Sequence, residues 1–119
     1  MRQDVVRECG KVIELLGGAY VMQAIAECVS ELGVVGETVQ ARRLLQRLER
    51  PPSGIWLDPV PMGDAYAGLG DADRAITWYQ QGVEQRAPNM IYMKASSAAD
   101  PVRRDPRFQS ILRQMNFPQ

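Results

Sequence analysis

The segment of residues 59–83, PVPMGDAYAGLGDADRAITWYQQGV, constrains the fold more than any other part of the chain. Two stretches with the apolar spacing of amphipathic helices flank a short turn at Gly70 and Asp71. Small residues stand where the two helices would have to approach closely: Gly63, Ala67, Ala75 and Gly82. Such a hairpin cannot bury its apolar faces alone, so the segment predicts further helices packed against it.

The apolar residues that precede this hairpin also recur at helical intervals. They predict an N-terminal helix over residues 4–16, capped by Asp4, and a pair of helices within residues 19–50. Pro51 ends this pair, because proline cannot continue a helix. Gly10 lies inside the N-terminal helix, where glycine is costly, and so predicts a close contact with another helix.

The rest of the chain places an aspartate where each helix should begin, and at residues 58 and 105 a proline follows it. Asp58 is expected to cap the first helix of a pair over residues 57–88, and Asp71 the second. Within the closing segment, residues 89–119, Asp105 is expected to begin a final helix. No stretch has the alternation of a strand, so the sequence predicts one all-α domain over residues 1–119.

The composition excludes several classes of function. Lysine plus arginine equals aspartate plus glutamate at 14 each, so no net charge attracts nucleic acid or an anionic membrane. No apolar run is long enough to span a bilayer. The chain has no histidine, which removes the commonest general base and zinc ligand, and Asp64 is a carboxylate without an acid or base partner. We therefore expect no catalytic centre, metal or cofactor, no nucleic-acid or membrane partner, and a cytoplasmic protein.

The two cysteines, Cys9 and Cys28, both fall on apolar helix faces. Two thiols are too few for a thiolate metal site, and cytoplasmic proteins keep their cysteines reduced. The sequence thus predicts two buried, reduced thiols.

Comparing the chain with itself reveals a period of 34 residues, which relates Gly36 to Gly70 and Ala41 to Ala75. Paired helices with this period are typical of the tetratricopeptide repeat (TPR). The second copy also has small and aromatic residues at the family's positions: Gly63, Tyr66, Ala75, Tyr79 and Gly82. The chain therefore resembles the TPR family. The resemblance implies a right-handed superhelical stack of antiparallel helix pairs, with residues 57–88 as the best repeat and residues 19–50 as a degenerate one.

The C-terminal part has a second resemblance. Residues 66–71, 91–94 and 102–108 read YAGLGD, IYMK and VRRDPRF. They are similar to the end of a bacterial TPR subgroup that closes with an L-R-x-D-P-R-F motif, with Val102 in place of the leucine. In that subgroup the array is commonly the C-terminal part of transcriptional regulators, adenylate cyclases or Ser/Thr kinases. The resemblance implies a regulatory module, either free-standing or part of a larger protein, with a C-terminal capping helix.

The first helix of each pair in TPR arrays lines a concave groove, where a partner peptide usually lies. Carried over by position, the partner-binding residues are Gln23, Glu27 and Ser30 in the first copy and Asp64 and Gly68 in the second. Trp56 and Trp78 are further candidates for an interface, because tryptophan is enriched at interaction hot spots.

These observations predict a non-catalytic protein–protein interaction module. Its partner would be a protein or peptide, such as an associated signalling or transcription protein, or a second copy of the chain in a homodimer. The alternative is a small-molecule sensor or small enzyme that uses a pocket between the N-terminal helix and the repeat. That alternative requires an enclosed cavity with convergent polar groups.

Overall fold

The computed structural model describes residues 1–115, and within them the regular structure is helical throughout. The prediction of an all-α chain is confirmed, and residues 116–119 of the closing segment lie outside the described residues. The α-helices are α1 Arg2–Leu16, α2 Met22–Val34, α3 Thr38–Leu48, α4 Pro59–Gly68, α5 Ala72–Gln85 and α6 Pro106–Gln114, and the 3₁₀ helices are Pro88–Tyr92 and Ser97–Val102. The consecutive helices of the pairs α2–α3 and α4–α5 pack against each other.

Helix α4 lies at the centre of the fold, and all ten of its residues are buried. It contacts α2, α5 and the second 3₁₀ helix, Ser97–Val102. Asp58 caps it as predicted, since its carboxylate accepts a hydrogen bond of 3.0 Å from the backbone N–H of Val60. Pro59 occupies the first turn, where a missing N–H costs nothing. The hairpin that most constrains the fold therefore also supplies, in its first helix, the centre of the core.

Two glycines allow α2 and α4 to pack with their backbones in close contact. A Cβ atom added at Gly33 would lie 2.5 Å from the carbonyl oxygen of Gly68, and a Cβ added at Gly68 would overlap the backbone of Ser30. Gly63 is likewise covered by the ring of Tyr79. Gly10 has open space around it, so the close contact predicted at that position is wrong.

Helix α6 packs on α5 through an edge-to-face contact between Tyr79 and Phe108, whose ring centroids are 5.7 Å apart. Asp105 begins α6 as predicted, because its carboxylate accepts a 2.9 Å hydrogen bond from the backbone N–H of Arg107. The guanidinium of Arg107 also binds the carboxylates of Asp105 and Asp73, each at 2.8 Å. These contacts fix the start of the last helix against the start of α5.

Helix α2 begins at Met22, later than expected, because α3 holds the preceding residues in a non-helical path. The guanidinium of Arg47 donates hydrogen bonds to the carbonyl oxygens of Gly17 and Ala19, at 2.9 and 2.8 Å. The hydroxyl of Tyr20 donates to the carbonyl oxygen of Leu48 at 2.5 Å. The two Arg47 bonds engage backbone carbonyls of the segment before α2, and the Tyr20 bond ties that segment to the end of α3.

Helix α1 is the least buried of the helices, and a disulfide holds it in place. Asp4 lies in its first turn, so the predicted N-cap is wrong and Met1 takes that position. Cys9, the buried residue of α1, is joined to Cys28 of α2. Both sulfurs are buried as expected, but the prediction of reduced thiols is wrong. Because disulfides persist in oxidising compartments, the cysteines no longer support a cytoplasmic location.

Among residues 1–115 the structure contains no helix with the length and apolar character that crossing a membrane requires.

Candidate binding groove

A groove of about 600 Å³ runs between α1, α2, α4 and the start of the second 3₁₀ helix. Helix α2 supplies one wall, α4 supplies the floor, and the 3₁₀ segment closes the opposite side. The lining residues are Met1, Val5, Gln23, Ala26, Glu27, Ser30, Glu31, Val34, Val35, Asp64, Ser96, Ser97 and Ala98.

The wall from α2 follows from helical geometry. Gln23, Glu27, Ser30 and Val34 are three or four residues apart, which places them on one face of a helix. The side-chain amide of Gln23 donates a 3.4 Å hydrogen bond to the carboxylate of Glu27. Glu31 continues the same face one turn beyond Glu27, so the wall has two exposed carboxylates.

Asp64 stands at the floor of the groove and is held there by α5. The residue is 7% exposed, and its Oδ1 atom accepts a 2.5 Å hydrogen bond from the hydroxyl of Tyr79. Tyr79 is itself completely buried, and the contact of its ring with Gly63 fixes its position. The carboxylate is therefore oriented by a rigid part of the core.

Burial is the main influence on the acidity of Asp64. It raises the pKa of the carboxyl group from an ordinary 3.8 to about 6, because a charge is costly away from water. The hydrogen bond from Tyr79 lowers the pKa, whereas the nearby carboxylates of Asp58 and Glu27 raise it further. Burial together with the charge of Asp64 also raises the pKa of the Tyr79 hydroxyl, which stays protonated and remains the donor.

The structure brings together four of the seven residues predicted to bind a partner. Gln23, Glu27, Ser30 and Asp64 all line the groove. Their role in binding stays a prediction.

The other three predicted residues lie elsewhere. Gly68 is buried against the backbone of Ser30, where it serves the packing of α4 on α2. Trp78 is partly buried against the core, and Trp56, in the loop before α4, is 54% exposed. Neither tryptophan lines the groove.

Several residues that line the groove were not predicted from the sequence. Glu31 could have been found, because it follows Glu27 by four residues on the same helix face. Ser96 and Ser97 could not, since no sequence pattern predicts that this segment folds back over α4. The second 3₁₀ helix packs against α4, all of whose residues are buried.

The chemistry available in the groove is that of an acidic binding surface. Within residues 1–115 there is no group of three or more histidine, cysteine, aspartate or glutamate side chains placed to hold a metal ion. A second concavity of about 630 Å³ lies between α5 and α6, with Glu84 and Arg107 among its lining residues. Its charges are balanced and it contains no buried ionisable group, so the groove beside Asp64 is the better candidate site.

Comparison with protein-family models, curated proteins and solved structures found no match to this chain.

Proposed function

We propose that this chain is a non-catalytic protein–protein interaction module that holds a polypeptide segment in the groove between α2 and α4. The observation that carries the proposal is the convergence of Gln23, Glu27, Ser30 and Asp64, selected by their position in a 34-residue repeat, on one groove. A volume of about 600 Å³ is in the range of specific ligand sites. The proposal includes the TPR-like relationship of the two helix pairs and a role of this module in regulating an associated signalling or transcription protein.

The test is a selection of random peptides displayed on phage, with the wild-type chain as bait. Each enriched peptide is then measured by fluorescence anisotropy against two variants. Glu27→Trp places a large ring in the groove, whereas Gln46→Trp adds the same ring on the exposed face of α3. We expect Glu27→Trp to weaken binding by at least about tenfold and Gln46→Trp to leave it unchanged.

Two results would contradict the proposal. One is a selection that enriches no family of related peptides while light scattering shows a strict monomer. The other is a set of enriched peptides that bind Glu27→Trp and the wild type equally. A dimer whose dissociation constant responds to Glu27→Trp would instead identify a second copy of the chain as the groove's occupant.

A small-molecule sensor or enzyme is a second candidate, favoured by one observation. The groove borders α1 through Met1 and Val5, which is where that alternative required a pocket. A low-molecular-weight ligand that fills the groove and competes with the selected peptides would support it. An enzyme is the weaker form of this candidate, because among residues 1–115 the Tyr79 hydroxyl is the one titratable group hydrogen-bonded to Asp64.

A further inference from the structure

Asp64 is a buried carboxylate without a cationic partner among the described residues. Buried charges in proteins are normally paired with an opposite charge, because leaving one unpaired is costly. Here the charged groups that act on Asp64 are Asp58 and Glu27, both negative. The one stabilising contact is the neutral hydroxyl of Tyr79. The fold thus brings a carboxylate to the floor of a groove without forming an ion pair to it within residues 1–115, although the charge of Arg103 acts on the Tyr79 hydroxyl.

The two oxygens of this carboxylate differ in their contacts. Oδ1 accepts the hydrogen bond from Tyr79, whereas Oδ2 accepts none within residues 1–115. Every fully buried side-chain oxygen or nitrogen of the described part of the chain has a hydrogen-bond partner. Oδ2 is therefore accessible, and since Asp64 lines the groove, the groove is where Oδ2 can be reached.

The surroundings of Asp64 are complementary to a positive charge. Among the described residues, the groove lining includes the carboxylates of Glu27 and Glu31 but no lysine or arginine side chain. The amino group of Met1, at the groove's edge, lies 4.0 Å from Asp4.

The nearby guanidinium groups are bound to other partners. Arg103 donates to the backbone carbonyls of Lys94 and Ser96 and binds Asp100, and Arg2 binds Glu37. These two guanidinium groups are therefore engaged elsewhere, and no ion pair among residues 1–115 involves Asp64.

We propose that the groove recognises a polypeptide segment through one lysine or arginine side chain of the partner, whose cationic group binds Oδ2 of Asp64. This inference rests on the proposed function and adds the chemistry of the partner. Lysine and arginine combine a positive charge with a long apolar stem, which lets the charge reach the groove floor while the backbone stays above it. Charge-assisted hydrogen bonds of this kind are among the strong ones in proteins.

The length of the groove favours a polypeptide over a free amine. From Gln23 to Val34 the wall from α2 spans twelve residues, whose eleven steps correspond to about 17 Å at the rise of an α-helix. An extended segment of about five residues covers that distance. The groove lining also includes apolar side chains, among them Val34 and Val35, which can contact the partner's neighbouring residues. A small amine would leave this part of the groove empty.

The experiment compares five mixtures of N-acetylated, C-amidated heptapeptides. The mixtures differ in the central residue alone, which is lysine, arginine, glutamine, norleucine or glutamate. Binding is followed by the ¹H–¹⁵N NMR shifts of groove amides such as those of Ala26 and Ser30. We expect the lysine and arginine mixtures to bind at least about tenfold more tightly than the glutamine mixture.

A matched pair of variants assigns this preference to Asp64. Asp64→Asn keeps the size of the side chain and an oxygen for the hydrogen bond from Tyr79, but removes the charge. Glu14→Gln removes one charge from the exposed face of α1, outside the groove. We expect Asp64→Asn to abolish the preference for lysine and arginine and Glu14→Gln to retain it.

Equal binding of the basic and glutamine mixtures to the wild type would overturn the inference, and so would a preference that survives Asp64→Asn. Spermidine, a free polyamine, is titrated separately. If spermidine alone saturates the same amide shifts as tightly as the basic peptides, the ligand is a free amine and the inference is wrong. If display-selected peptides occupy the groove but carry no basic residue, the inference fails while the proposed function stands.

Discussion

Replacing Asp64 by asparagine should make the protein more stable at neutral pH. In the folded chain the carboxyl group is 7% exposed, and burial raises its pKa from 3.8 to about 6. At pH 7 the group is largely ionised in both the folded and the unfolded chain, so folding transfers a charge into a poorly solvated position. Asparagine imitates the protonated acid and can still accept the hydrogen bond that Tyr79 donates.

The size of this effect follows from the linkage between protonation and folding. Since one pKa unit corresponds to about 1.4 kcal/mol, a rise from 3.8 to about 6 corresponds to about 3 kcal/mol. The carboxyl group of Asp64 binds its proton more tightly in the folded chain than in the unfolded chain. The contribution of Asp64 to the free energy of unfolding is therefore largest below pH 4, falls between pH 4 and pH 6, and is constant above. At pH 7 the free energy of unfolding of the asparagine variant should therefore be about 3 kcal/mol higher than that of the wild type. This corresponds to a melting temperature about 10 °C higher.

The assay is urea unfolding followed by circular dichroism, at half-unit steps between pH 4 and pH 8. The informative quantity is the difference in free energy of unfolding between the variant and the wild type, because other titrating groups contribute equally to both. We expect this difference to grow from near zero at pH 4 to its full value above pH 6. Glu14→Gln, on an exposed part of α1, should stay within about 0.5 kcal/mol of the wild type at every pH.

Two outcomes would refute this reasoning. If Asp64→Asn is less stable than the wild type at pH 7, the carboxylate makes a stabilising contact that the geometry around Oδ1 and Oδ2 does not include. If the difference between the two proteins is the same at pH 4 and pH 8, the pKa of Asp64 is not raised.

Two further predictions concern the packing of the helices. Gly33→Ala should lower the free energy of unfolding by about 1–3 kcal/mol, because the added methyl group would lie 2.5 Å from the carbonyl oxygen of Gly68, whereas Gly10→Ala, in open space, should raise it by up to about 1 kcal/mol. Equal urea midpoints for the two variants would contradict this. Reducing the disulfide between Cys9 and Cys28 should increase amide hydrogen exchange throughout α1 while leaving α4 protected, because Cys9 is the buried residue of α1. Unchanged exchange in α1 would show that its remaining contacts are sufficient to hold it.

Much of the fold could be predicted from the sequence because its signals are local. Asp58, Asp71 and Asp105 each precede a helix, and in the structure each carboxylate accepts a hydrogen bond from the backbone of the first turn. Apolar spacing likewise predicted the residues that enter the core, such as Tyr79 and Ile25. These features depend on residues a few positions apart, which a single sequence displays directly.

The parts that could not be predicted depend on contacts between distant segments. The second 3₁₀ helix covers α4 because of long-range packing and because Arg103 binds the carbonyl groups of its approach, and no local spacing encodes either. The disulfide likewise depends on a contact between distant segments. Cys9 and Cys28 lie on two different helices with their Cα atoms 5.6 Å apart, and the pairing depends on how those helices meet.

The candidate site shows the same division. The α2 face with Glu27 follows from helical periodicity, whereas the burial of Asp64 depends on how α4 packs against α2, α5 and the second 3₁₀ helix.

The disulfide also makes residues 9–28 a closed covalent ring that contains the linker between α1 and α2. The exposed Gly17 and Gly18 lie in this linker, where a protease would find accessible backbone. A single cut there would open the ring without releasing a fragment. The nicked protein would migrate as one intact chain on a non-reducing gel and as two pieces after reduction, so limited proteolysis would go unnoticed unless both gels were run.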